Sequence, residues 1–303
     1  DLHSFPTRRS SDLPDYPAAL YQAGLSLFRL RRYGDAAVLF ERFVETVPSE
    51  VGATRVLGHC YYSLGDYEEA LLHYERVLAA RPKSVETLRG YALCHMRLGR
   101  EERALELLAR VLELRPEHAS AEAWTAQILY DLGRSEEALA HADRARSLEP
   151  FEPWHWFLAS RVLSDLARDE EALVARRRFE ELDRVAQEVR RLEGALLHDP
   201  RRLAPWLRLA ELHRSIGDVA SLRGALARAM SLDPGSLELR LFALDALEGL
   251  GDKAGARVAA AALEEACPDR PEAWRRLIGF YRALGDRAGE ERAVARLESL
   301  RGR

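Results

Sequence analysis

From Pro17 onward, apolar residues recur at three- and four-residue spacing in short blocks, each closed by a glycine or a proline. The stretch VGATRVLGHCYYSLGDYEEALLHYERVLAARPKS, Val51 to Ser84, shows the unit. Leu57, Tyr61 and Leu64 fall on one helical face before Gly65-Asp66, and Ala70, Tyr74 and Val77 do so after it. The pattern predicts a helix, a tight turn and a second helix. Gly65 supplies the left-handed turn conformation, Asp66 is placed as an N-cap, and Pro82 ends the second helix. The small side chain of Ala70 lets the two helices approach closely.

The unit repeats. Pro48, Pro82, Pro116 and Pro150 stand 34 residues apart, and so do Pro200, Pro234 and Pro268. Two further markers keep step: Gly65, Gly99, Gly133, then Gly217, Gly251, Gly285; and Ala36, Ala70, Ala104, Ala138, Ala172, then Ala256. Three markers sharing one period predict an array of stacked hairpins, at residues 17–50, 51–84, 85–118, 119–152, 153–202, 203–236, 237–270 and 271–303. The fifth repeat is the exception. Pro150 to Pro200 spans 50 residues, 16 more than the period, and Ala167 stands where the turn glycine is expected. The surplus amounts to roughly four turns. It lengthens the second helix, or a break near Arg176 to Phe179 makes two helices of it. In the last repeat Glu290 replaces the close-packing alanine and leaves a narrow stripe of Ala293, Val294, Leu297 and Leu300, as a terminal cap would.

In Val51 to Ser84 the run Leu57-Gly58, Tyr61, Gly65, Tyr67, Ala70, Tyr74 and Pro82 resembles the tetratricopeptide repeat, and Trp156, Trp206 and Trp274 fill the leading aromatic place in later repeats. The resemblance implies an all-α fold, an α-solenoid of about eight repeats wound as a right-handed superhelix, and a role in binding protein segments. It also implies a groove lined by the second, fifth, ninth and twelfth places of each repeat. Carried onto this chain, those places are Tyr21, Leu25 and Phe28; Arg55, His59 and Tyr62; Arg89, Leu93 and Met96; Gln127 and Tyr130; and Phe157 with Arg161. This wall is aromatic and basic. The later repeats put Glu211, Arg214, Glu238, Asp245, Glu248 and Glu272 on the same surface, which reads as more acidic.

Composition narrows the function. With 47% hydrophobic and 31% charged residues the chain can bury a continuous core, and a net charge of −4 argues against general nucleic-acid affinity. The longest apolar run, Val258 to Leu263, is far too short for a membrane helix. Cys60, Cys94 and Cys267 show no metal spacing and place no demand on an oxidising compartment, which favours the cytoplasm. His59-Cys60 and Cys94-His95 occupy equivalent places in consecutive repeats and read as semi-buried packing residues. Arg176 to Arg178 are flanked by Glu170, Glu171, Glu180 and Glu181, so charge pairing along the helix is expected. No phosphate loop, nucleophile elbow, HExxH or dinucleotide fingerprint is present, and no catalytic, cofactor or metal residue is nominated.

The first thirteen residues, DLHSFPTRRSSDL, break the pattern. They back-translate in one frame to a string resembling a sequencing adapter, and are set aside from fold reasoning. The expectation is that the natural N-terminus is missing. The function expected is a noncatalytic scaffold whose groove takes a peptide or helix with acidic and hydrophobic residues. The alternative is the interaction part of a larger enzyme, such as a transferase or kinase.

Overall fold

The computed structural model describes residues 16–301, which form sixteen α-helices, with no strand among the described residues. The adapter-like segment, residues 1–13, lies outside them. In chain order the helices are α1 (Pro17–Arg29), α2 (Tyr33–Thr46), α3 (Val51–Leu64), α4 (Tyr67–Ala80), α5 (Val85–Arg97), α6 (Glu101–Leu114), α7 (Ala119–Asp131), α8 (Ser135–Leu148), α9 (Pro153–Asp165), α10 (Asp169–His198), α11 (Leu203–Ile216), α12 (Val219–Leu232), α13 (Leu237–Gly249), α14 (Lys253–Ala266), α15 (Pro271–Leu284) and α16 (Arg287–Arg301). The chain divides into two compact units within α10, one up to Arg176 and one from Arg177. Each is an all-α solenoid of stacked hairpins.

The turns follow from the glycines. Gly65 sits at φ 93°, where its N–H donates to Tyr62 O and the N–H of Asp66 to Tyr61 O, satisfying carbonyls that the end of α3 leaves open. Ala167 and Arg31 adopt the same left-handed conformation, at φ 55° and 59°, without being glycine. Asp66 occupies the N-cap of α4 but makes no side-chain hydrogen bond to it, unlike Asp218 and Asp252, which accept from the N–H groups of Ser221 and Gly255. The leading tryptophans close each repeat onto the preceding proline. Trp156 Nε1 donates to Pro150 O at 2.8 Å, Trp206 to Pro200 O at 3.0 Å and Trp274 to Pro268 O at 2.9 Å. Arg240, at the same place of the 237–270 repeat, donates to Pro234 O.

In the first unit each second helix packs on the first helix of the next hairpin, so four overlapping apolar clusters run through it. The repeating alanines Ala36, Ala70, Ala104 and Ala138 are fully buried where hairpin partners touch. First helices also meet one another, α3 with α5 and α7 with α9, which places them on the inner wall of the stack. The 16-residue surplus of the fifth repeat is one continuous 30-residue helix, α10. In the second unit one cluster joins Leu196 of α10 to Leu297 of α16, and α13 meets α15.

Candidate functional site

Spacing puts the groove residues of the first unit on α1, α3, α5, α7 and α9, and the structure groups them into three sets. In the first, aromatic rings form a chain. Phe28 meets His59 at 5.2 Å and Tyr33 at 5.5 Å between centroids, His59 meets Tyr62 at 6.2 Å, and Tyr62 meets Tyr67 at 5.6 Å. Tyr33 and Tyr67 open α2 and α4, one period apart. They were not among the expected groove residues, because only first-helix places were carried over; the 34-residue recurrence of a tyrosine was the signal.

Arg55 and Arg89 stand beside this chain. Burial is the main cause that holds the His59 imidazole below its ordinary pKa, and the two guanidinium groups push it further the same way. His59 is therefore neutral at pH 7 and leaves the positive charge to the arginines. Arg55 is exposed and makes no ion pair among the described residues. Arg89 reaches Glu86 at 3.5 Å, and its Nε is enclosed without a hydrogen-bond partner among the described residues. Tyr74, 2% exposed, lies beneath, its phenol pushed up by burial against the opposing pull of both arginines.

The second set is a cavity of about 420 Å³ walled by Met96, Gln127, Trp124 and Trp154. The two indoles are 4.5 Å apart, and Gln127 Nε2 donates to Asp131 Oδ1 at 2.8 Å. Arg97 and Glu101 complete the rim, and the nearby Tyr62 hydroxyl is the main cause that raises the Arg97 pKa. In the third, the Arg161 guanidinium lies 4.5 Å over the Tyr130 ring and 5.7 Å from that of Phe157. Tyr21 and Leu93 are drawn inward instead. The Tyr21 ring packs 5.2 Å from Phe43 and 5.9 Å from Phe40 of α2, and Leu93 is buried.

In the second unit the wall is less acidic than its spacing suggests. Arg276 bonds both Asp245 and Glu248, Arg208 pairs with Glu211 at 2.9 Å, and Arg214 lies over Phe242. Burial pushes the Cys60 and Cys94 thiols up to about 12, so both stay protonated and unreactive. No group of three or more histidine, cysteine or carboxylate side chains that could hold a metal ion occurs among the described residues.

Helical hairpins stacked at a 34-residue period, with first helices along an inner wall, define an α-solenoid of helical repeats. Comparison with known proteins points the same way. Residues 21–85 match the family described as tetratricopeptide repeat, and residues 66–145 match that of the anaphase-promoting complex, cyclosome, subunit 3. Together the two matches support a tetratricopeptide-repeat protein. Among solved structures the chain is similar to MamA, residues 41 to the end, from Desulfovibrio magneticus RS-1: 17% identity, 56% of this chain, 97% of that one and a TM-score of 0.51, a likeness of fold. MamA AMB-1 is similar at 26% identity over 55% of this chain and 92% of that one, with a TM-score of 0.46. No curated protein matches the chain in sequence at a significant level.

Proposed function

We propose that the chain is a protein-interaction scaffold and that the inner wall of its first unit binds a protein segment carrying acidic and large apolar residues. One observation carries the reading: Arg55 and Arg89 flank a continuous run of rings from Phe28 to Tyr67, and neither the exposed guanidinium of Arg55 nor the enclosed Nε of Arg89 is satisfied among the described residues. A carboxylate would meet two guanidinium groups in a partly dry setting, where charge-assisted hydrogen bonds are strong. Apolar side chains of the same segment would cover the rings, which lose little entropy on ordering.

Selection of random peptides on the immobilised full chain should enrich segments with Asp or Glu next to an aromatic or aliphatic residue. Fluorescence anisotropy of an enriched peptide should then weaken by about tenfold or more, some 1.4 kcal/mol, in the double reversal R55E/R89E. Unchanged affinity on that reversal would sink the reading.

A further inference from the structure

The Trp124–Trp154 cavity lies on the same inner wall as the arginine pair but has the opposite chemistry. Two indoles, 4.5 Å apart at their centroids and tilted by 49°, line it together with Met96. Two carboxylates, Asp131 and Glu101, sit on the rim against one guanidinium, Arg97. Gln127 occupies one oxygen of Asp131 and leaves the other available. Neither indole N–H has a hydrogen-bond partner among the described residues, so the pair is not used to close a turn as Trp156 is.

We infer that this cavity receives a cationic side chain, arginine in preference to lysine, from the bound segment; the inference rests on the groove reading above. A planar guanidinium can stack on an indole face while its edge donates to a carboxylate, which a compact ammonium does less well. An anionic group is disfavoured by Asp131 and Glu101, and a purely apolar one would leave those carboxylates facing it. The bound segment is then bipolar. Its acidic residue faces Arg55 and Arg89 on α3 and α5, and its basic residue enters between α7 and α9. Neighbouring packed helices are about 8–10 Å apart and an extended chain advances about 3.3 Å per residue, so the two charges stand roughly three to six residues apart. The order of the two charges along the segment sets the direction in which it lies.

The test needs no knowledge of the partner. N-acetyl-arginine amide, its neutral isostere N-acetyl-citrulline amide and N-acetyl-norleucine amide are titrated into the isotope-labelled full chain while the indole N–H resonances of Trp124 and Trp154 are followed. Arginine amide should shift both, with half-saturation on the order of millimolar, and citrulline amide should bind about tenfold more weakly. The surface variants E101Q and D131N, which keep the fold, should abolish the preference, whereas R55E/R89E should leave it intact. Equal shifts with all three amides would show a pocket for neutral groups and overturn the assignment, as would resonances unmoved by arginine amide. If R55E/R89E leaves peptide binding unchanged while arginine amide still binds here, the acidic-anchor reading falls and the cationic pocket stands.

Discussion

Tyr74 on α4 is clamped between glycines of two neighbouring first helices, and this makes a quantitative test of how α3 and α5 are spaced. A methyl group added at Gly90 would meet Tyr74 Cζ at 2.8 Å and its hydroxyl oxygen at 2.9 Å; one at Gly58 would meet Cε1 at 2.9 Å and Cδ1 at 3.0 Å, on the opposite edge of the ring. The ring cannot retreat from one helix without pressing on the other. Overpacking of this kind costs about 1–3 kcal/mol, and with both escape directions blocked the upper half of that range applies. Against it stands the helix-propensity gain of Gly→Ala, about 1 kcal/mol at a mid-helix position. G90A should therefore destabilise the protein by about 1–2 kcal/mol. In a Tyr74→Ala background the added methyl falls into vacated space and only the propensity gain remains, so G90A should then stabilise by about 1 kcal/mol.

The coupling energy of roughly 2–3 kcal/mol is the quantity to measure. Because a repeat array can open locally, urea unfolding followed by circular dichroism should be paired with amide hydrogen exchange across α3 to α5. Gly90 is adjacent to Arg89, so the single variant should also weaken binding of a selected peptide, while Y74A/G90A recovers part of it. Stabilisation by G90A in both backgrounds, with no coupling, would refute the clamp.

Three other outcomes follow from single features. Replacing Ala167 or Arg31 by glycine should each raise stability by about 0.5–1 kcal/mol, since both residues hold positive φ, and a lower urea midpoint would contradict this. The Cys60 and Cys94 thiols, pushed up to about 12 by burial, should be inert to Ellman's reagent at pH 8 until the chain is unfolded in guanidinium; rapid native labelling would show that the helices around them open readily. His95 is buried with neither ring nitrogen bonded among the described residues, and burial, then Arg100 and Arg103, hold its pKa below 6.5 against the opposing pull of Glu75. The unfolded chain then takes up the proton more readily, so this contribution to stability is complete above about pH 6.5 and falls as pH drops below it. H95L should reduce the loss of urea midpoint between pH 7 and pH 5, and an unchanged loss would exclude His95 as its source.

Much of the fold was legible because each periodic residue type answers a backbone requirement. Glycine is needed where φ turns positive, alanine where hairpin partners touch, and proline where a helix must stop; each recurs at 34 residues because the geometry recurs. Where a requirement is met by another residue the signal thins, as at Ala167 and Arg31. The long α10 was only half legible: Phe179, Leu182, Ala186, Val189, Leu192 and Leu196 keep a helical stripe, but a stripe does not distinguish one helix from two without a glycine or proline to mark a break. In the second unit the acidic places were legible but their pairing was not, because counting Asp245 and Glu248 by place passes over Arg276, about one repeat later, which bonds them both.

The tryptophans separate what periodicity can report from what it cannot. Trp156, Trp206 and Trp274 hold the fourth place of their repeats and spend their N–H groups on Pro150, Pro200 and Pro268, so the period selects them and packing explains them. Trp124 and Trp154 hold the sixth and second places, 30 residues apart, so the period does not pair them. They meet only because α7 and α9 adjoin on the inner wall, a contact that arises from stacking and not from either hairpin alone. Both rings pack partly on the apolar clusters, yet their N–H groups are unbonded among the described residues, unlike those of the fourth-place tryptophans. Arg55 and Arg89 sit one period apart at a place where α7 carries Ala123 and α9 Phe157, so the repeat does not require arginine there. Side chains that the repeat does not require, and that stacking brings together, are therefore the ones whose replacement tests binding apart from folding.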